Sequence, residues 1–260
     1  MTGSRNHRHT KIHIGPAPAP TPGLEVGRPD IEYVDPHLHE DTPESTPAPG
    51  APLVAGDLVA GTKYRIVRFI GDGGMGAVYE AEHVDLQRRV ALKILHTELS
   101  HSHRAVELFR SEARTVSRIG ADEIVQLHDF AELPDGRVMF TMELLEGPTL
   151  AEAITRESFS PARIISVLRQ ICSGLAAAHA AGVIHRDIKP DNIIVGPDDR
   201  IKILDFGLAC PPGADDCRIG TVFYLAPEQI TGDRIDPRTD IYSLGVAAYE
   251  MATGTRPFPG

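Results

Sequence analysis

Long apolar runs are missing from this chain. No stretch reaches the roughly 18 residues that suggest a membrane span, and the N-terminus has no apolar core of a signal peptide. The sequence therefore predicts neither a membrane segment nor signal-led secretion. Cysteine is scarce: the three residues, an odd number in a 260-residue chain, fit reduced thiols in a cytoplasm better than a disulfide framework. Positive charge is not in surplus either. The net charge is −10 and no basic run offsets it, which argues against general nucleic-acid binding.

Within residues 1 to about 60, "GPAPAPTPG" and "DTPESTPAPGAP" are rich in proline and alanine, with almost no aromatic or branched apolar residues. Such a segment buries too little surface to offset its chain entropy and is expected to be a disordered Pro/His-rich tail. Its histidines at 7, 9, 13, 37 and 39 have no cysteine partners and no regular ligand spacing, so they read as a solvated tail. Thr21, Thr42 and Thr46 each precede a proline and are candidate phosphate acceptors.

From Tyr64 onward the pattern is that of a folded protein. "YRIVRFIG", "AVYEAEHV" and "RRVALKIL" alternate as strands. A helix is expected at about 103–119, with Val106, Phe109, Ala113 and Val116 at helical spacing. Two strands, "EIVQLHDFAEL" and "RVMFTMELL", flank a "PDG" turn. Ser160-Pro161 caps a helix that Gly182 stops, and another helix begins near Thr239 and ends near Gly254. A small sheet with one helix, followed by a mostly helical part, is an α+β, two-lobed plan.

Gly71, Gly73 and Gly76 form a GxGxxG loop whose backbone could approach a polyphosphate. A strand, not a helix, follows it, which excludes a dinucleotide-binding turn and suits a lid over a nucleotide. Lys93 ends an apolar strand, and Glu112 falls on the apolar face of its helix. An inward carboxylate is costly unless paired, which makes Lys93 its natural partner. "VIHRDIKPDNIIV" and "IKILDFG" are close enough to form a hairpin that gathers Asp187, Asn192 and Asp205 at one end. Asn and Asp oxygens suit Mg²⁺ beside substrate phosphates.

Gly71-x-Gly73-x-x-Gly76-x-Val78, Val90-Ala-Leu-Lys93, Glu112, His185-Arg-Asp187-x-x-x-x-Asn192, Asp205-Phe-Gly207 and Ala226-Pro-Glu228 occur in this order. With them, about 64–260 resembles the protein kinases, specifically the eukaryotic-like Ser/Thr kinases of bacteria. The resemblance implies a kinase domain over 61–260, with an N-lobe at 61–144, a hinge at 145–147 and a partial C-lobe at 148–260. It implies that Lys93 contacts the α- and β-phosphates of ATP while Glu112 holds it. Val78, Ala91 and Ile194 would sandwich the adenine, with Met142 as gatekeeper and the backbone of Glu143 and Leu145 on the adenine edge. Asp187 would be the catalytic base, Lys189 the stabiliser of the transferring phosphate, and Asn192 with Asp205 the Mg²⁺ ligands. Val116, His185 and Phe206 would form part of a stacked regulatory spine. Asp240 would brace the catalytic loop, and Thr221 would be the substrate-site threonine. Lys189 marks the Ser/Thr form.

Two departures from that pattern stand out. The sequence ends at "TGTRPFPG", where the family continues with further helices, one supplying an arginine to Glu228. The expected consequences are uncovered apolar surface on the 239–252 helix and, as alternatives, a partner that completes the C-lobe or an impaired kinase-fold nucleotide-binding or scaffold protein. Between Gly207 and Gly220 there is no hydroxyl to accept an activating phosphate. Asp215 and Asp216 are candidate fixed charges for Arg186 instead, and Cys210 and Cys217 are expected to be free thiols. The expected activity is MgATP-dependent phosphorylation of Ser/Thr on protein substrates in the cytoplasm.

Overall fold

The computed structural model describes residues 50–206 and 222–258. The histidine-bearing tail, Gly207, Cys210, Asp215, Asp216, Cys217 and Thr221 lie outside the described residues.

Five strands build the first lobe: β1 (Tyr64–Asp72), β2 (Gly76–His83), β3 (Arg88–Leu95), β4 (Leu127–Glu132) and β5 (Val138–Glu143). They pair antiparallel in the order β1-β2-β3-β5-β4. Between β3 and β4 come a one-turn helix α1 (Thr97–Ser100) and α2 (His103–Val116). The Ser102 side chain accepts from the Ala105 amide and so satisfies one of the orphan donors at the start of α2. The last six residues of β3 are all buried, because the strand is covered on both faces. Val90, Leu92 and Ile94 pack with Ile66, Tyr79 and Met139, while Leu95 packs with Phe109, Ala113 and Phe140 under α2.

Part of the expected tail belongs to this lobe. Leu53 and Val59 are buried in the sheet's core, and Leu58 bridges to Arg65. Asp135 accepts the Gly50 amide at 3.0 Å, and Arg137 donates to the Ala51 carbonyl. Composition averaged over sixty residues hid these two apolar anchors.

The second lobe starts with a helix that the sequence reading passed over, α3 (Leu150–Arg156), capped by Thr149, whose hydroxyl accepts from Glu152 N. The Thr-x-x-Glu spacing that signals such a start is present at 149–152. The longer α4 (Pro161–Ala180) begins at the expected Ser160 cap and is followed by Gly182 at φ +75°, a left-handed stop that suits glycine. Its buried stripe of Val167, Ile171, Leu175 and Ala178 joins Ile193, Ile203 and Leu244 in the second core. The strands β6 (Ile193–Val195) and β7 (Ile201–Ile203) form the expected antiparallel hairpin. A short α5 (Pro227–Thr231) and α6 (Arg238–Thr253) follow. Ile241, Tyr242 and Tyr249 of α6 are exposed, and Glu228 accepts from the Thr239 hydroxyl at 2.6 Å.

Candidate active site

The site lies where the two cores meet. Antiparallel register sets Val78 opposite Lys93, and Ala91 opposite Met142. Val78, Met142, Leu145 and Ile194 are each half-buried. Apolar side chains left partly uncovered at a lobe junction are what a flat aromatic ligand needs on its two faces. Above them, Gly76 is sterically required, since a Cβ there would lie 2.2 Å from the Ile94 carbonyl oxygen. Gly71 has open space around it.

Lys93 is buried and donates to Glu112 Oε1 and to Asp205 Oδ1, each at 2.9 Å. Burial works against its charge, but the two carboxylates outweigh burial and hold its pKa well above the ordinary lysine value. Two acids sharing one ammonium leave one negative charge in surplus. Burial pushes the Glu112 carboxyl up, against the pull of Lys93, and its second oxygen is buried without a partner among the described residues. For Asp205 burial also acts upward, yet Lys93 prevails and holds its carboxyl below the usual range.

A second cluster sits on the loop ahead of β6. Lys189 Nζ donates to Asp187 Oδ2 at 2.7 Å, and Asn192 Nδ2 donates to the same oxygen at 2.9 Å. Among the described residues Asp187 Oδ1 has no donor. The backbone here is held from below. Buried Asp240 accepts the amides of His185 and Arg186, the latter residue at φ +68°. His185 is fully buried; its Nδ1 accepts from Asp187 N, which leaves Nε2–H to donate to the Leu204 carbonyl at 2.8 Å. That pattern requires neutral imidazole, and burial lowers the pKa accordingly. The ring packs on Phe206 with centroids 4.6 Å apart, and Val116 at the end of α2 belongs to the same core.

The Leu204 amide donates to the Asn192 carbonyl, which draws Asn192 and Asp205 to one end of the hairpin. Asn192 Nδ2 is engaged by Asp187 and Asp205 Oδ1 by Lys93. Among the described residues, the amide oxygen of Asn192 and Oδ2 of Asp205 remain as hard donors, a set that fits a divalent cation. This combination of elements matches a known pattern: a sequence model of the protein kinase domain fits residues 64–260.

The chain belongs to the protein kinase family. Over 222 residues it is 42% identical to the serine/threonine-protein kinase Pkn1 of Myxococcus xanthus, covering 80% of this chain and 32% of that one. It is 41% identical to PknL of Mycobacterium tuberculosis over 206 residues, covering 76% of this chain and 51% of the relative. The chain thus spans between about a third and a half of these relatives' length. The crystal structure of the M. tuberculosis PknI kinase domain superposes with a TM-score of 0.64 at 26% identity, covering 80% of each chain. No helix among the described residues of this kinase domain is long and apolar enough to cross a membrane.

Three supporting contacts of the kinase domain were not anticipated. Gln229 on α5 donates to the Arg186 carbonyl at 2.8 Å, His179 on α4 meets Asp240 Oδ2 at 2.7 Å, and Lys202 on β7 meets Glu143 at 2.6 Å. Each joins residues distant in sequence through a lone polar side chain, which no local pattern announces. Of the expected site residues, Glu228 accepts from the Thr239 hydroxyl.

Proposed function

We propose that this chain transfers the γ-phosphoryl group of ATP to serine or threonine hydroxyls of protein substrates. The observation that carries this reading is the convergence of the Lys93–Glu112–Asp205 cluster with Asp187, Lys189 and Asn192 across one cleft. Val78, Ala91 and Ile194 would hold the adenine between them, beside Met142, with the Glu143 and Leu145 backbone along its edge. Lys93, kept protonated and aimed by Glu112, would hold the α- and β-phosphates. Asn192 and Asp205 would hold Mg²⁺, which supplies charge neutralisation to the phosphates when bound.

Asp187 would orient the substrate hydroxyl and take its proton as the new O–P bond forms and the bond to the ADP oxygen breaks. Lys189, already against Asp187, would stabilise charge on the moving phosphoryl group. Placing a lysine there suits a Ser/Thr side chain as acceptor. A cytoplasmic setting belongs to the same reading, supported by the chain's sparse and odd-numbered cysteines.

The test is incubation of the chain with MgATP and a generic basic protein, beside Asp187→Ala. The wild-type chain should label serine and threonine, and the variant should be slower by about 10²-fold or more. Equal incorporation by both would refute the reading.

A further inference from the structure

Lys202 plays no part in the site described so far, yet it occupies an unusual junction. Alternation along β7 turns Ile201 and Ile203 into the core and Lys202 to the opposite face. There its ammonium meets Glu143 Oε1 at 2.6 Å and reaches toward the Ile124 carbonyl at 3.5 Å. The same Glu143 oxygen accepts the Gln126 amide at 2.8 Å, while the Glu143 amide donates back to the Gln126 carbonyl. One carboxylate therefore ties the end of the five-stranded sheet to the start of β4 and to the hairpin of the other lobe.

The position of the two partners gives this pair its meaning. Glu143 is the last residue of β5, where the chain leaves the sheet for the hinge. Lys202 pairs in register with Ile194 and stands three residues before Asp205. With Lys202 on the same face of the hairpin as Ile194, the ion pair thus spans the two lobes. Both side chains are about three-quarters covered, at 22% and 24% exposed, so solvent screens them less than a free surface pair.

We propose that Lys202 is a positioning residue for nucleotide binding, fixing the hinge against the β6–β7 hairpin through Glu143. The inference rests on the reading of Glu143 and Leu145 as the edge that meets adenine. With the link cut, the hinge and the Ile194 wall are set independently, and the nucleotide must order them on binding. That cost falls on binding of ATP and not on the phosphoryl-transfer step, because Lys202 touches neither Asp187 nor Lys189.

The test measures the ATP dissociation constant by calorimetry with Mg²⁺, together with kcat and KM, for wild type, Lys202→Met, Glu143→Gln, the double variant and Lys202→Arg. Each of the first two variants should weaken ATP by about three- to tenfold, and Lys202→Met, which lies outside the nucleotide-contacting residues, should change kcat by less than about twofold. The double variant should be no weaker than either single one, since both remove the same link. Lys202→Arg should restore most of the affinity, which a role in bulk packing alone would not predict. Unchanged ATP affinity in both single variants, additive losses in the double, or an arginine variant no better than methionine would overturn the inference while leaving the kinase reading intact. A wild-type chain that does not bind ATP overturns the kinase reading and this inference together.

Discussion

Asp240 and Arg186 are 54 positions apart in sequence, yet the Asp240 carboxylate accepts the Arg186 amide at 2.8 Å. Its other oxygen takes the His185 amide at 2.9 Å and faces His179 at 2.7 Å. A fully buried carboxylate is tolerated because donors surround it. In return it holds Arg186 in a left-handed backbone conformation, one that costs about 1–3 kcal/mol when nothing supports it. Asp187, the next residue, inherits its direction from that arrangement.

Asp240→Asn should therefore be strongly destabilising. An amide has one acceptor oxygen, so its NH₂ group would confront a backbone donor. The expected loss is about 2–3 kcal/mol, visible as a fall in melting temperature of about 5–10 °C for a domain of this size. Turnover should fall with it. A melting temperature unchanged within about 1 °C would show that the carboxylate is not what holds the loop.

Lys93→Met removes the charge that both Glu112 and Asp205 need. Initial rates with MgATP should drop by about 10²-fold or more, in the range seen when a phosphate-directed charge is lost. Glu112→Gln keeps the shape and one hydrogen-bonding oxygen toward Lys93, so its rate loss should be smaller. Measured rates in the reverse order would contradict the assignment of Glu112 as the residue that aims the lysine.

His185 makes stability depend on pH. Its folded pKa is lowered from about 6.5 by burial, so the unfolded chain binds the proton more readily. The contribution is present above about 6.5 and is lost as pH falls toward the folded value. Urea midpoints should decline between about pH 6.5 and 5, a window above the ordinary titration of exposed carboxylates. His185→Gln should lower the midpoint at pH 7 and flatten the slope in that window; an unchanged slope would count against neutral, buried His185 as its source.

The glycine loop separates two effects by position. Gly76→Ala places a methyl group against the Ile94 carbonyl and should cost about 1–3 kcal/mol as overpacking, measured by thermal unfolding. Gly71→Ala meets open space, so stability should hold while KM for ATP rises. A stable Gly76→Ala protein would mean that β2 and β3 separate easily at that point.

Much of the site was legible because its chemistry is carried by local patterns. Glu112 sits on the apolar face of α2 at helical spacing, and an inward acid demands a cation, which β3 supplies in Lys93. The hairpin of β6 and β7 is short enough that Asn192 and Asp205 must share an end. The contacts of Gln229, His179 and Lys202 had no such signature, since a polar residue on a half-exposed face looks alike whether it meets water or a distant backbone. Leu53 and Val59 were masked by the proline-rich composition around them, and α3 was too short to show a period of its own.

The sequence by itself determined the longer strands and helices, the lobe order and the family, because strand alternation, helix caps and motif spacing act over a few residues. Only the tertiary structure decided that Glu112 and Asp205 share one buried lysine, how Glu228 is satisfied and which side chains join the lobes. Those outcomes depend on burial and on donors brought together from opposite ends of the chain, and neither quantity exists until the chain has folded.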